Sequence, residues 1–397
     1  MTETAAEGIR NMRIRFYGVQ GSGSIFPRFS EREAARRVND ILLLEGVFTD
    51  LANRTGADGQ LHGAITDILG GPMSRAALEA YRDRINPETE VSYGGWTTCI
   101  LIETHDGHDI VFDCGSGFRN CAGDLQRKWG DRAERELHIF GTHSHSDHTE
   151  GFDQALVCFD PRNTISIYGN AQFLYALDQQ LGIFSHRVDE SVRGIHTPIS
   201  FSLMPARFRY CPIRSHPEDD AALLDARVPT TIFEAGRPVT IGTTTITPFE
   251  LFHPAPCLGF SIESGGKRFV FATDHEILHD EALPGYGASR AAEERLAYFA
   301  LGADLLYRDG QFLRAEYSGE KGIGDSPPIP RNGWGHSCIE DAWDMAKRCG
   351  VGCTLIGHHD PNRKWSERQW IDQSLKQASE NSPNRIELAK AEMMVDL

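Results

Sequence analysis

Long apolar runs are missing from this chain. No stretch reaches the roughly 18 consecutive apolar residues of a membrane-spanning helix, and MTETAAEGIRNMRIRF at the start has no apolar segment of the kind a secretory leader carries. The expectation is a cytoplasmic protein with no membrane partner. Also missing is any CxxC pair: the nine cysteines are odd in number and scattered, which excludes a disulfide framework and a cysteine-only zinc knuckle. The closest two, Cys349 and Cys353, read as the end of a helix and the start of a strand, hence as buried thiols. Basic residues are short as well, with 40 Lys and Arg against 56 Asp and Glu, a net charge of −16. Such a surface repels polyphosphate at long range. With no Lys/Arg-rich arm it disfavours nucleic acid as a partner and points any phosphate chemistry to a small molecule held at a local positive site. Internal repeats and low-complexity tracts are absent too.

What is present is 397 residues that are 40% hydrophobic, ample for a large core. β-rich runs dominate, at 13–19, 97–104, 109–113, 136–142, 164–169, 243–251, 258–263, 267–274, 303–307 and 353–357. Helical stretches separate several of them, and many strands end in Asp, Thr or Gly ahead of glycine or histidine loops. That pattern predicts a layered α/β structure, one domain over 1–397 with its chemistry at strand ends. Two insertions interrupt it. Residues of about 28–90 read as helical, with Ser30 and Glu33 as a capping box and a second helix after Pro72. Residues of about 170–240 read as mixed, with FLYALDQQL helical and RYCPIRSHPEDDAALLDARVP loop-like. Ile41, Leu42, Leu43, Leu44, Val47 and Phe48 are too many apolar residues for an exposed helix. The first insertion is therefore expected to pack, as a lid or as a contact between copies of the chain.

The chemistry concentrates in GTHSHSDHTEGF (141–152). In an extended chain alternate side chains share a face, so His143, His145 and Asp147 project together as the strand runs out into a loop, and His148 follows from the turn. Two imidazoles at i and i+2 can grip one divalent ion while Asp147 and His148 point to a second. A histidine-rich polar loop is the bland alternative, and four ligand types at this spacing argue against it. A cage needs more ligands from strand ends, and three places qualify: His253 in FELFHPAPCLGF, Asp274 in FVFATDHE, and the pair His358 and His359 in TLIGHHDP.

Asp113 in VFDCGSG, then THSHSDH, HPAPCLGFSIESGGKRFVFATDHE, NGWGHS and LIGHHDP form an ordered set that resembles the metallo-β-lactamase superfamily of dinuclear hydrolases. The opening IRFYGVQGSGS with YGGWTTCILIE resembles its phosphodiesterase-like branch. The resemblance covers about 12–26, 91–160, 245–279 and 300–365. It implies a four-layer αββα sandwich with a metal pair along one edge of two sheets. Carried over, it implies that His143, His145 and His253 hold one ion, that Asp147, His148 and His358 hold the other, and that Asp274 bridges them. Zinc is the first expectation for both divalent ions, and manganese or iron also suits such ligands. His358 is preferred to His359 because it comes first after the strand. Asp113 is expected to orient a liganding imidazole, and Asp309 and His359 to stand behind the ligands. Cys257 reads as packing, and His275 and His279 as solvent-facing or supporting groups.

The function expected on this basis is hydrolysis of a small phosphodiester, a cyclic nucleotide or cyclic sugar phosphate. A hydroxide shared by the two metals is the nucleophile, oriented by Asp147. Two divalent ions less two carboxylates and the hydroxide leave the site near about +1, a place for an anion in an acidic protein. His336 precedes Ser337, which with Glu340 reads as a capping box, so the histidine is expected near a helix start, donating a proton or hydrogen bond to the leaving group. Hydrolysis of an ester, thioester or lactam, a tRNA-processing nuclease and a non-catalytic metal-binding sensor are the alternatives. GVQGSGS (18–24) lacks the Lys-Ser/Thr ending of a nucleotide-phosphate loop and reads as a tight glycine turn near the active site.

Overall fold

The computed structural model describes residues 11–23, 29–85, 94–184, 203–215 and 231–397. Two sheets form its centre. The first runs in the order β15 (Met394–Asp396), β1 (Arg13–Gly18), β2 (Cys99–Glu103), β3 (Asp109–Phe112), β4 (Arg135–Phe140), β5 (Asn163–Gly169), β6 (Arg207–Arg214), β7 (Phe233–Glu234). The second runs β14 (Arg385–Leu388), β13 (Cys353–Gly357), β12 (Leu305–Asp309), β11 (Lys267–Ala272), β10 (Cys257–Ser264), β9 (Thr244–Leu251), β8 (Val239–Ile241).

The period-2 alternation of each strand decides the layers. Ile110 and Phe112 of β3 face inward and Val111 outward. In β11, Phe269 and Phe271 face inward and Val270 and Ala272 outward; in β12, Leu305 and Tyr307 face inward and Leu306 outward. The inward side chains make an aromatic core between the sheets, with Phe112 5.3 Å from Phe260 and 5.6 Å from Phe140 between ring centres. Outside the first sheet lie α4 (Phe118–Trp129) and α5 (Ala171–Leu181), through Phe118, Leu125, Phe173 and Leu177. Outside the second lie α6 (Tyr286–Ala300) and α8 (Ile339–Cys349), through Leu296, Met345 and Ala346. The result is a four-layer αββα sandwich. Because helices cover both sheets, the central strands are apolar on both faces and read in sequence as continuous hydrophobic runs.

In the first sheet β3 to β6 are parallel, and in the second β11 to β14. Their carboxyl ends therefore gather at one edge of each sheet, where loops are free of ladder pairing.

Residues 26–92 with 364–366 form a compact unit of their own, built of α1 (Phe29–Asn53), α2 (Ile65–Leu69) and α3 (Arg75–Ile85). Val47 and Leu51 pack on Ile68, Leu69 and Tyr81. Ile41, Leu42, Leu44 and Phe48 are exposed, Phe48 at 65%, so the unit's own core takes up only part of the apolar run. Ser30 lies inside α1 rather than ahead of it, whereas Ser74 does cap α3, its Oγ accepting from Ala77 N at 3.1 Å.

Two further readings change. Arg207–Arg214, read in part as loop, is strand β6, paired along β5. Ser337 does not cap α8: Cys338 takes that position, and Ser337 Oγ donates instead to the His275 carbonyl. The rest of the expected mixed insertion, at 185–202 and 216–230, lies outside the described residues.

Candidate metal centre

At the common edge, five strand ends deliver side chains to one volume: Asp113 after β3, Thr142 and His143 after β4, Asp274 after β11, Asp309 at the end of β12, His358 after β13. Three of them carry left-handed backbone, Asp113 at φ 59°, Asp274 at 49° and His358 at 56°. Ser22, close by, is at 58°. Only one other non-glycine residue described, Glu392, has positive φ, so this uncommon geometry is concentrated at the site, as strain at functional sites commonly is.

The structure brings all seven expected ligands together in two groups that share Asp274. In the first, His143 Nε2 lies 3.5 Å and His253 Nε2 3.9 Å from Asp274 Oδ2, and His145 Nδ1 lies 3.3 Å from His253 Nε2. In the second, Asp274 Oδ1 lies 3.4 Å from His148 Nε2 and 3.1 Å from His358 Nε2, and Asp147 Oδ2 lies 3.4 and 3.2 Å from the same two nitrogens. Ligands about 2.1 Å from a tetrahedral ion stand about 3.4 Å from one another, which is the spacing found. A second observation fits an ion independently: His143 Nε2 and His148 Nε2 are buried with no hydrogen-bond partner. Buried polar atoms are rarely left so.

The other nitrogen of each buried imidazole is fixed from behind, which sets the tautomer that turns Nε2 inward. His148 Nδ1 donates to Asp113 Oδ2 at 2.7 Å, and Asp113 Oδ1 accepts from Thr142 N at 2.8 Å. His143 Nδ1 lies 3.0 Å from Thr142 Oγ1. His253 Nδ1 donates to the Gly335 carbonyl at 3.0 Å, and His358 Nδ1 to Gln311 Oε1 at 3.0 Å. Complete burial works to raise the pKa of Asp113, and the donors from His148 and Thr142 oppose it.

His336 lies over this cage, its ring stacked on that of His358 at 4.6 Å and tilted against that of His253 at 5.5 Å. Its Nδ1 is 3.0 Å from Asp309 Oδ2. Burial opposes charge on this ring, but Asp309, with Asp274 and Asp147 beyond, raises it to about 9. Cations in the cage would counter the last two and leave Asp309 as the lasting influence.

His359 turns away. Its Nε2 lies 2.8 Å from the Ala389 carbonyl, so it borders the site only through its backbone, whose carbonyl accepts from Gly21 N at 3.0 Å. That contact holds the glycine turn at 18–23 against the cage, where Ser22 N donates to Asp147 Oδ2 at 2.8 Å. A side chain at Gly21 would put its Cβ 2.2 Å from His358 Nδ1. Cys257 Sγ packs 3.8 Å from His143 Nδ1. His275 is fully buried, which corrects only the solvent-facing half of its reading: its Nδ1 accepts from Phe252 N at 3.1 Å, beside His253, and its Nε2 is 3.2 Å from Glu293, which also binds Arg308. His279, half-exposed, pairs with Asp341 at 2.9 Å.

Three contributors escaped the sequence reading. Gln311 and Glu276, whose carboxylate accepts from the Gly333 and Gly335 amides beside His336, are residue types common everywhere, and Gln311 gave only a weak signal, following Asp309-Gly310 at a strand end. The Ser22 amide has no side chain to notice.

Residues 214–359 match the family described as the beta-lactamase superfamily domain, and they contain β8 to β13 with His253, Asp274, His336 and His358. With the four layers and the shared edge already described, this decides the architecture. The chain has the metallo-β-lactamase fold. Other solved structures with this fold align over most of the chain at low identity. Zn²⁺-bound PqqB from Methylobacterium extorquens aligns over 97% of this chain and 100% of its own, at 12% identity and a TM-score of 0.49. A diphosphatase of the PhnP family aligns over 97% and 98%, at 12% and 0.47. The short form of human tRNase Z aligns over 97% and 98%, at 15% and 0.47. No curated protein matches the sequence. Among the described residues no helix is long and apolar enough to cross a membrane.

Proposed function

We propose that the protein is a metal-dependent phosphodiesterase acting on a small phosphodiester. The observation that carries this reading is the division of Asp274: one carboxylate oxygen faces His143 and His253, the other faces His148 and His358, with His336 above both groups. His143, His145 and His253 would hold one divalent ion, Asp147, His148 and His358 the other, and Asp274 both. Zinc suits these donors first. Such a pair supplies an acidified water as nucleophile and positive charge for phosphoryl oxygens.

The chain's own residues do the rest. Asp147, fixed from behind by the Ser22 amide, is placed to orient the attacking water. His336, held by Asp309 at Nδ1, turns Nε2 toward the space above the cage. A protonated imidazole there can donate to the leaving alkoxide. A phosphodiester needs that donor because its alkoxide leaves poorly, whereas a thiolate leaves almost unaided, so His336 favours the phosphodiester over a thioester. The net charge of −16 favours a small substrate over tRNA.

The test is to purify the protein, count its metals, and compare a chromogenic phosphodiester with a thioester for wild type and His336→Ala. Two ions per chain and a loss of about 10²- to 10⁴-fold on the phosphodiester are expected. Turnover of the thioester alone, or phosphodiester turnover indifferent to His336, would overturn the reading.

A further inference from the structure

Resting on the phosphodiesterase reading, we propose that Trp334 is a stacking platform for a nucleobase, so that the phosphodiester cleaved belongs to a nucleotide rather than to a base-free sugar phosphate. Trp334 is 47% exposed, which for a lone surface tryptophan would mean little. Here the loop around it is immobilised. The amides on either side, Gly333 N and Gly335 N, donate at 2.7 and 2.8 Å to the two oxygens of one carboxylate, Glu276, which is fully buried and also accepts from Tyr317 Oη at 2.7 Å. Both glycines have positive φ, 80° and 91°. A Cβ at Gly335 would lie 2.1 Å from His253 Nδ1, so the backbone beside the indole is pressed against a cage histidine.

The same short loop thus carries three things: the indole, the Gly335 carbonyl that holds His253, and His336 over His358. Beneath the indole sits the guanidinium of Arg331, 4.3 Å from the ring centre and itself buried. That support fixes the plane of the ring and leaves nearly half of the residue open. A rigid, supported, exposed π surface one loop residue from the metal cage suits a flat ring joined to the reacting phosphate through a ribose. Stacking of this kind is indifferent to which base is present.

The experiment compares 2′,3′-cyclic AMP with methyl riboside 2′,3′-cyclic phosphate, the same diester without a base, for wild type, Trp334→Ala and Trp334→Phe, with circular dichroism confirming that each folds. Binding of AMP is followed separately by quenching of tryptophan emission. The ratio of kcat/KM, nucleotide over methyl riboside, is expected to fall about tenfold in Trp334→Ala, within the range for losing one stacked base, chiefly through KM. Trp334→Phe should restore most of it, and should abolish the quenching although five other tryptophans remain. An unchanged ratio in Trp334→Ala, or unchanged quenching in Trp334→Phe, overturns the proposal while leaving the phosphodiesterase intact. If wild type cleaves neither ester yet AMP quenches Trp334, the stacking stands and the phosphodiesterase reading falls.

Discussion

Replacing Asp113 with asparagine should cost the protein metal without costing it its fold. Asp113 is fully buried and takes donors on both oxygens: Thr142 N at 2.8 Å on Oδ1, and His148 Nδ1 at 2.7 Å and Thr142 Oγ1 at 2.9 Å on Oδ2. Asparagine has the same shape and tolerates the φ of 59° better than most residues, so the backbone has no reason to move. Its NH₂, however, must face one set of these donors. If it faces His148, the imidazole has to present Nδ1 as an acceptor and move its proton to Nε2, the atom that points at the second ion. A hydrogen bond to a buried charge is worth about 1.5–3 kcal/mol, or about a 10- to 100-fold loss in metal affinity, as is usual when a group behind a liganding histidine is removed. Dialysis against graded chelator, with metal counted by mass spectrometry, measures it. One ion should leave at a 10- to 100-fold lower chelator strength while the other holds. The reasoning fails if both ions leave as in wild type. Asp309→Asn is the contrast, because Asp309 touches His336 and no cage nitrogen: metal content should stay and kcat should fall.

Gly335→Ala should reduce activity at least 10²-fold in a steady-state assay, since its Cβ would lie 2.1 Å from His253 Nδ1 at a φ of 91°. Stripping the ions with chelator should lower the thermal midpoint, and restoring zinc should recover it with a dependence on free zinc, because ligands that bind only the folded state stabilise by mass action. His138 lies between the sheets, 7% exposed, with neither ring nitrogen hydrogen-bonded and Glu136 4.0 Å from Nε2; burial, the larger influence, pushes it down from 6.5 to about 4 against the carboxylate. A histidine neutral when folded stabilises fully above pH 6.5 and loses that contribution as pH falls toward 4, about 2 kcal/mol by pH 5. Urea midpoints at pH 7.5 and 5 should therefore differ less in His138→Met than in wild type, and equal differences would exclude His138 as a cause.

Legibility followed burial. Strands covered on both faces stand out through short apolar runs such as CILI and FVFA, and the strands that hold these two match the structure to within about two residues. RFRYCPIR does not, because arginines alternate along its first half and Pro212 interrupts its second; what makes it a strand is the neighbour β5, which no local pattern shows. β15 depends on pairing with β1 across nearly the whole chain, Arg13 opposite Asp396, and short segments with such distant partners carry no local signature. At the site, THSHSDH was readable because four donors lie within six positions. His253, Asp274 and His358 were readable only through that cluster and the resemblance. Gln311, Glu276 and the Ser22 amide were not, since what they do is set entirely by which chain segments the fold brings beside them.

The backbone strain at the strand ends bears on what the ions contribute. A left-handed residue directly after a strand turns its side chain back across the sheet edge instead of continuing the pleat, and costs about 1–3 kcal/mol for a residue other than glycine. Asp113 and His358 adopt it under constraint from buried neighbours: Asp113 N donates to the Phe140 carbonyl at 3.0 Å, and His358 N to Tyr307 Oη at 3.2 Å. These bonds come from adjacent strands and owe nothing to a metal. The donor spacings of 3.1–3.9 Å are therefore set by the two sheets, and ions would enter a cage already shaped for them. It follows that their contribution is to relieve carboxylates and unpartnered imidazole nitrogens crowded into one buried volume. Folding of the sandwich precedes that relief, and the stability ions add should depend on their free concentration rather than appear as an all-or-none requirement for folding.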